Sequence, residues 1–185
     1  MRALIALVVL LFTVSAEADE AILKRLAEPN THAIMRHALA PGRGEPEDFD
    51  LSDCATQRNL SVDGVRQAGR AGDMVRAAGV DINQIWSSLY CRNMDTAREM
   101  ALGEITRKSS LNFFGQDKSS NRRRTEAIAQ ELASMPSQET ILVVGHSRNI
   151  EALTGTRPLS GEIQVVRFAP DGTVTLLGSV EVPVF

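Results

Sequence analysis

Thr140-Ile141-Leu142-Val143-Val144-Gly145-His146-Ser147 is an apolar run that stops at a glycine and a histidine, and its reading decides the fold. In an α/β protein such a run reads as a parallel strand buried on both faces, whose carboxyl end opens into the crevice where ligands bind. A second run of the same kind, Ala33-Ile34-Met35, is closed by Arg36-His37. Two histidines far apart in the chain can therefore meet at one site. A third strand-like stretch, Ile85-Trp86-Ser87-Ser88-Leu89, leads to Arg92. With Arg36 it makes the crevice a cationic pocket suited to a phosphoryl group.

Outward from these runs, strands alternate with helices. His32–Arg36 is the first expected strand, Asp81–Leu89 the second and Thr140–Gly145 the third. Val65, Ala68, Gly69, Met74, Val75 and Ala78 recur at helical spacing, with Ser61 as N-cap and Gly79 as the stop. Further helices are expected over Asn93–Leu102, Asn121–Met135 and Ser147 to about Thr154. Residues 103–120 show no clear period. Glu162–Ala169 and Thr173–Glu181 flank Pro170-Asp171-Gly172, a hairpin signal. The pattern predicts an α/β three-layer sandwich: a mixed, largely parallel central sheet with helices on both faces.

A chain of 185 residues, 43% hydrophobic and 23% charged, fits one globular domain. Aromatics at 4% and a net charge of −3 argue against a nucleic-acid surface. Residues 1–18 differ in kind. Arg2 precedes an almost wholly apolar stretch from Ala3 to Val14, and Ala16-Glu17-Ala18 supplies small residues at a cleavage spacing. This reads as a secretory signal peptide, too short to span a bilayer comfortably, with a domain over 19–185 exported to a periplasm or the medium. Export to an oxidising compartment would let Cys54 and Cys91 pair, tying the long loop after His37 to the residue before Arg92; two free thiols are the alternative.

The chemistry follows from residue types. A neutral imidazole can attack phosphorus in line, so His37 is the expected nucleophile, with its other ring nitrogen donating to a carbonyl that fixes the tautomer. Planar guanidinium forks match the equatorial oxygens of a phosphoryl group in flight, which assigns Arg36 and Arg92. His146, protonated beside the bound anion, adds a further donor. The three histidines and two cysteines lack close ligand spacing, so no metal and no other cofactor is expected.

Met35-Arg36-His37-Ala38, Leu60-Ser61-x-x-Gly64-x-x-Gln67-Ala68, Ser87-Ser88-x-x-x-Arg92-x-x-x-Thr96-Ala97 and Gly145-His146-Ser147 together resemble, in order, the motifs of the histidine phosphatase superfamily, or phosphoglycerate mutase-like fold. The resemblance covers most of residues 19–185 and points to its short exported phosphatases. It implies phosphorylation of His37 and a phosphate pocket of Arg36, Arg92 and His146. It also implies a small phosphorylated substrate, such as the sugar or envelope glycan phosphates of lipopolysaccharide core heptose phosphatases. Two departures stand out: Ala38 replaces the usual glycine, and Ser147 stands where acid phosphatases of the other branch carry an aspartate proton donor.

The leaving group then needs another acid. Glu162 ranks first, at the start of a strand, ahead of Glu104 and of Asp48 or Asp50 on the long loop. Without a placed acid the same pocket would be a binding module for anions. Asn149 either orients a substrate oxygen or caps its helix. Phe113-Phe114 reads as a buried pair under a loop or as part of the substrate mouth. His32 starts its strand, so it is expected at the end remote from the pocket.

Overall fold

The computed structural model describes residues 17–113, 115 and 117–184. The expected signal peptide thus lies outside the described residues except for 17 and 18, which are helical. Residues 17–24 form α1. The strands are β1 (Thr31–Arg36), β2 (Gln84–Ser87), β3 (Ile105–Arg107), β4 (Ile141–Gly145), β5 (Ile163–Phe168) and β6 (Val174–Val180). The remaining helices are α2 (Val62–Ala77), α3 (Cys91–Met100), α4 (Lys118–Ala133) and α5 (Ser147–Thr154).

Among the described residues the six strands join one sheet in the order β3-β2-β4-β1-β5-β6. β1 to β4 run parallel, whereas β5 is antiparallel to β1 and β6 to β5. The apolar runs alternate within themselves. Ala33, Met35, Leu142 and Val144 face one core with Ala71, Val75, Ala97 and Met100 of α2 and α3. Ile34, Ile141 and Val143 face a second core with Ile128, Ala129 and Leu132 of α4 and Ile150 of α5. Both faces of the central strands are buried, which explains their unbroken hydrophobicity.

The connections position the site. From β1 the chain steps outward through α2 and α3 on one face, then returns through α4 on the other to place β4 beside β1, as right-handed crossovers require. Chain leaving β1 therefore turns to one face and chain leaving β4 to the opposite one. Between two adjacent carboxyl ends that diverge in this way, an α/β sheet opens its ligand crevice.

Several boundaries moved. β3 lies where no strand was expected: a three-residue edge strand paired to β2 through Ile105, Thr106 and Arg107 is too short to show a period. β2 is only four residues long, less than half the stretch expected from Asp81 to Leu89. α3 begins at Cys91 rather than Asn93, so Arg92 stands inside the first helical turn. α4 begins at Lys118 because Asp117 caps it, accepting from the Ser119 and Ser120 amides. Ser61 caps α2 as expected, accepting from the Gly64 amide. The hairpin turn also forms where expected, with Gly172 at φ 84° and Asp171 accepting from the Thr173 amide.

His32 lies at the amino-terminal end of β1, opposite the crevice, with Nδ1 accepting from the Ile141 amide at 3.1 Å and Nε2 donating to Leu132 O at 3.2 Å. Burial lowers its pKa to about 4.

Candidate active site

His37 follows the last residue of β1, and its amide donates to Gly145 O at 3.0 Å. This bond docks it beside His146, the residue after β4. The two imidazoles face each other nearly edge-on, with ring centroids 5.6 Å apart, and each residue is only 2% exposed. His37 Nδ1 lies 2.8 Å from Ala38 O. A carbonyl only accepts, so Nδ1 carries the proton and Nε2 keeps the lone pair. Burial and then the repulsion of Arg92, Arg36 and Arg58 lower the His37 pKa to about 3. It is a neutral imidazole with a defined tautomer across the physiological range.

His146 is held from the other side. Its Nδ1 lies 3.5 Å from an Arg92 terminal nitrogen, which can only donate, and its Nε2 lies 3.0 Å from Ser88 Oγ. Nε2 therefore carries the proton, and Ser88 passes its own to Asn112 Oδ1 at 3.1 Å. Burial, followed by His37 and three arginines, holds the His146 pKa well below its ordinary value. A dianion among the same groups has the opposite sign and favours the imidazolium.

Arg92 is 1% exposed, an unusual burial for a charge, and its partners account for it. One terminal nitrogen donates to Arg58 O at 3.2 Å and pairs with Glu45 Oε1 at 2.8 Å, while the guanidinium lies 4.6 Å from the Tyr90 ring centroid. Arg36 donates to Pro158 O at 3.4 Å. Both arginines keep a buried Nε–H with no partner among the described residues. Burial lowers the pKa of each, and Arg58 adds repulsion to both. Such a concentration of cationic donors attracts an anion with several acceptor oxygens.

The motif residues around these four hold them in place. Gln67 accepts from the Leu39 amide at 2.9 Å and donates to Ser160 O and Val182 O, fastening the loop after His37 to the end of the sheet. A Cβ on Gly64 would meet Leu39 O at 2.1 Å, so only glycine lets α2 approach this loop. Thr96 accepts from the Ala38 amide at 3.0 Å and donates to Arg92 O. Asn93 donates to Val144 O and Gly145 O. α3 thereby links the strand ends carrying both histidines to the turn carrying Arg92.

Cys54 and Cys91 form a disulfide across 37 residues, with Cα atoms 5.7 Å apart. Closing a loop of that size contributes roughly 3 to 4 kcal/mol by chain-entropy arguments. It anchors the loop of residues 38–59 beside Arg92, where Gln57 accepts from the Cys91 amide at 2.9 Å.

The candidate acids fall in different places. Glu162 is close in the backbone, its carbonyl accepting from the Arg36 amide at 3.3 Å. Its carboxylate turns instead into the adjacent turn and accepts from the Leu159 amide at 2.8 Å. It lines a groove with Gln67, Leu159 and Val182. Glu104 precedes β3 and stands exposed at the amino-terminal end of the sheet, opposite the crevice. Asp50 is exposed and accepts from the amide and hydroxyl of Ser52, and Asp48 is exposed on the same loop. Asn149 spends both amide hydrogens on Leu111 O and Asn112 O, which positions the turn that carries Asn112, while its buried Oδ1 has no partner among the described residues.

Glu45, Arg58, Tyr90, Ser88 and Asn112 complete the surroundings. Ser88 lies within the Ser87–Ala97 motif, whereas the other four carry no signal of spacing, because they arrive through loops. Phe113 is 41% exposed and its ring lies edge-on to His146 at 5.7 Å, so it borders the mouth instead of lying buried under a loop. Phe114 lies outside the described residues. Tyr90 packs against His146 at 4.8 Å and stacks on Phe49 at 5.4 Å.

Three buried neutral histidines carry a consequence for stability. Each folded-state pKa lies below the unfolded value of about 6.5, so above that pH neither state is favoured. As pH falls below it, the unfolded chain takes up protons that the folded chain refuses. At pH 5.5 His32 and His37 together are expected to remove about 3 kcal/mol, with His146 adding in the same direction. Urea unfolding at pH 7.5 and 5.5 checks this; equal free energies would contradict neutral, buried imidazoles.

No protein-family model matches the sequence, and no curated protein matches it. Solved structures do match the fold. The protein histidine phosphatase SixA complexed with tungstate superposes with a TM-score of 0.62 at 18% identity, over 82% of this chain and 96% of the other. The product of an open reading frame from Mycobacterium tuberculosis gives 0.63 at 17% identity, over 84% and 98%. A mycobacterial glucosyl-3-phosphoglycerate phosphatase gives 0.57 at 14% identity, over 84% and 98%.

Proposed function

We propose that this chain, which has the fold of the histidine phosphatases, is an exported, metal-independent phosphomonoesterase that works through a phosphohistidine on His37. The observation that carries the proposal is the meeting of His37 and His146 at adjacent strand ends with Arg36 and Arg92 around them. Nε2 of His37 attacks phosphorus in line, and the two guanidiniums with His146 hold the equatorial oxygens as charge develops. The phosphoryl group passes to Nε2 and the alcohol departs with a proton from a carboxylic acid. Water then takes the phosphoryl group from nitrogen, returning the imidazole and releasing phosphate.

A structural neighbour bound to tungstate, a tetrahedral oxyanion, supports the assignment of the pocket to phosphoryl chemistry. The sequence of residues 1–18 supports export, and export favours a phosphorylated sugar or envelope glycan as substrate over cytosolic phosphoproteins.

Residues 19–185, offered p-nitrophenyl phosphate and a panel of sugar phosphates with a chelator present, are expected to hydrolyse them and to be inhibited competitively by tungstate. Tight tungstate binding without turnover of any ester would favour an anion-binding module.

A further inference from the structure

We infer that Glu45, on the loop of residues 38–59, is the carboxyl group that protonates the leaving oxygen. The inference rests on the phosphohistidine reading above and adds the proton donor it requires. Glu45 is the carboxylate seated on the phosphate pocket itself: Oε1 lies 2.8 Å from the buried Arg92 guanidinium, and Oε2 accepts from the Arg58 amide at 3.1 Å. Glu162, Asp50 and Glu104 have their carboxylates or their positions committed elsewhere. The Glu45 side chain is 19% exposed, so it borders the mouth, where the leaving group of an in-line displacement departs.

The loop that presents it is held at several points. Arg58 donates to Gly44 O at 3.0 Å and to Ala40 O at 2.5 Å, and the disulfide clamps the far end of the loop to the start of α3. Gly44, immediately before Glu45, has φ 71°, a left-handed conformation that glycine adopts without strain. The charged and titratable groups facing the carboxylate are Arg92 and Tyr90 from the start of α3 and the Arg58 guanidinium from its own loop.

Two anions that share one guanidinium repel each other. A phosphate dianion on Arg92 therefore displaces the carboxylate and favours its neutral, protonated form, which is the form that can donate. In the first step the His37 Nε2–P bond forms as the P–O bond to the alcohol breaks, and the Glu45 proton goes to that oxygen. In the second, the carboxylate takes a proton from water as the water oxygen bonds to phosphorus and the P–N bond breaks. The acid is regenerated and no other reactant is consumed.

Glu45→Gln, compared with Glu162→Gln, tests this on two esters. An alkyl phosphate needs its leaving oxygen protonated, whereas 2,4-dinitrophenyl phosphate does not. Glu45→Gln is expected to slow phosphorylation of the enzyme by the alkyl ester about 10²-fold or more, and by the dinitrophenyl ester less than about tenfold. The alkaline limb of the alkyl ester's pH profile is expected to vanish with it. Equal losses on both esters, or the selective loss appearing in Glu162→Gln instead, would overturn the assignment.

Calorimetric tungstate binding in two buffers of different ionisation enthalpy provides a readout that needs no turnover. Proton uptake on binding is expected to be smaller in Glu45→Gln than in the native chain, and equal uptake would count against Glu45. Absence of turnover in the native chain, with this difference in uptake intact, would sink the phosphatase reading but leave the proton coupling of Glu45 standing.

Discussion

Replacing His37 with alanine is expected to reduce turnover of any phosphate ester by at least about 10⁴-fold, because it removes the nucleophile and leaves only the binding groups. The fold should survive. His37 is tied to β4 by its backbone amide, a bond alanine keeps, and its ring makes one local bond to the next carbonyl. His37→Ala should therefore still bind tungstate, since Arg36, Arg92 and His146 remain. Steady-state kinetics with p-nitrophenyl phosphate, beside circular dichroism and tungstate titration, check the expectation. A variant that is folded, binds the oxyanion and keeps more than a few per cent of native activity would remove His37 from the chemistry.

The second large effect concerns Arg92. Arg92→Lys preserves the charge but loses the planar fork, the packing against Tyr90 and the placement of one donor on the Arg58 carbonyl. A phosphoryl group in flight needs paired donors on its equatorial oxygens, and a single ammonium point charge does not supply them. The expected loss in kcat is about 10² to 10³-fold, comparable to removing one donor from an oxyanion site. KM should change much less, because the fork matters most when charge has spread over the transferring group. A lysine variant within threefold of native kcat would show that Arg92 supplies only general positive potential.

Much of this architecture is legible in the sequence, for physical reasons visible in particular residues. Ile141 to Val144 and Ala33 to Met35 are apolar on both faces because two helical layers cover them, and that alone marks them as central strands. A strand buried on both faces ends where polar residues begin, so Arg36-His37 and Gly145-His146 announce the crevice. Ser61 is legible because a cap restricts the residue type, whereas Gly64 is marked only by the resemblance of its motif and shows its reason in the close approach to Leu39. The strand order is not legible. β4 lies between β1 and β2 because the chain reverses direction after β3, and no local pattern records that reversal.

Loop residues escape such patterns for a related reason. Glu45 occupies a stretch with neither a 2-residue nor a 3.6-residue period, and its importance comes from where the Cys54–Cys91 bridge and Arg58 hold its loop. Glu162 had the opposite fate. Its place at the start of β5 puts its backbone beside Arg36, but the turn over residues 159–162 claims its carboxylate through the Leu159 amide. Residue position was readable there and side-chain direction was not. Asn149 is a similar case: it is buried, and its amide nitrogen is bonded to the turn of Leu111 and Asn112.

A buried, neutral imidazole whose Nδ1 proton is committed to a carbonyl has its Nε2 lone pair available for attack on phosphorus, and every other assignment in the site depends on that lone pair. Rapid quenching in alkali of the protein mixed with an excess of substrate, followed by mass-spectrometric mapping of bound phosphate, tests it most directly. Acid-labile, alkali-stable phosphate on the peptide containing His37 is the predicted result. Phosphate carried by His146, or by a serine in an acid-stable ester, would contradict it.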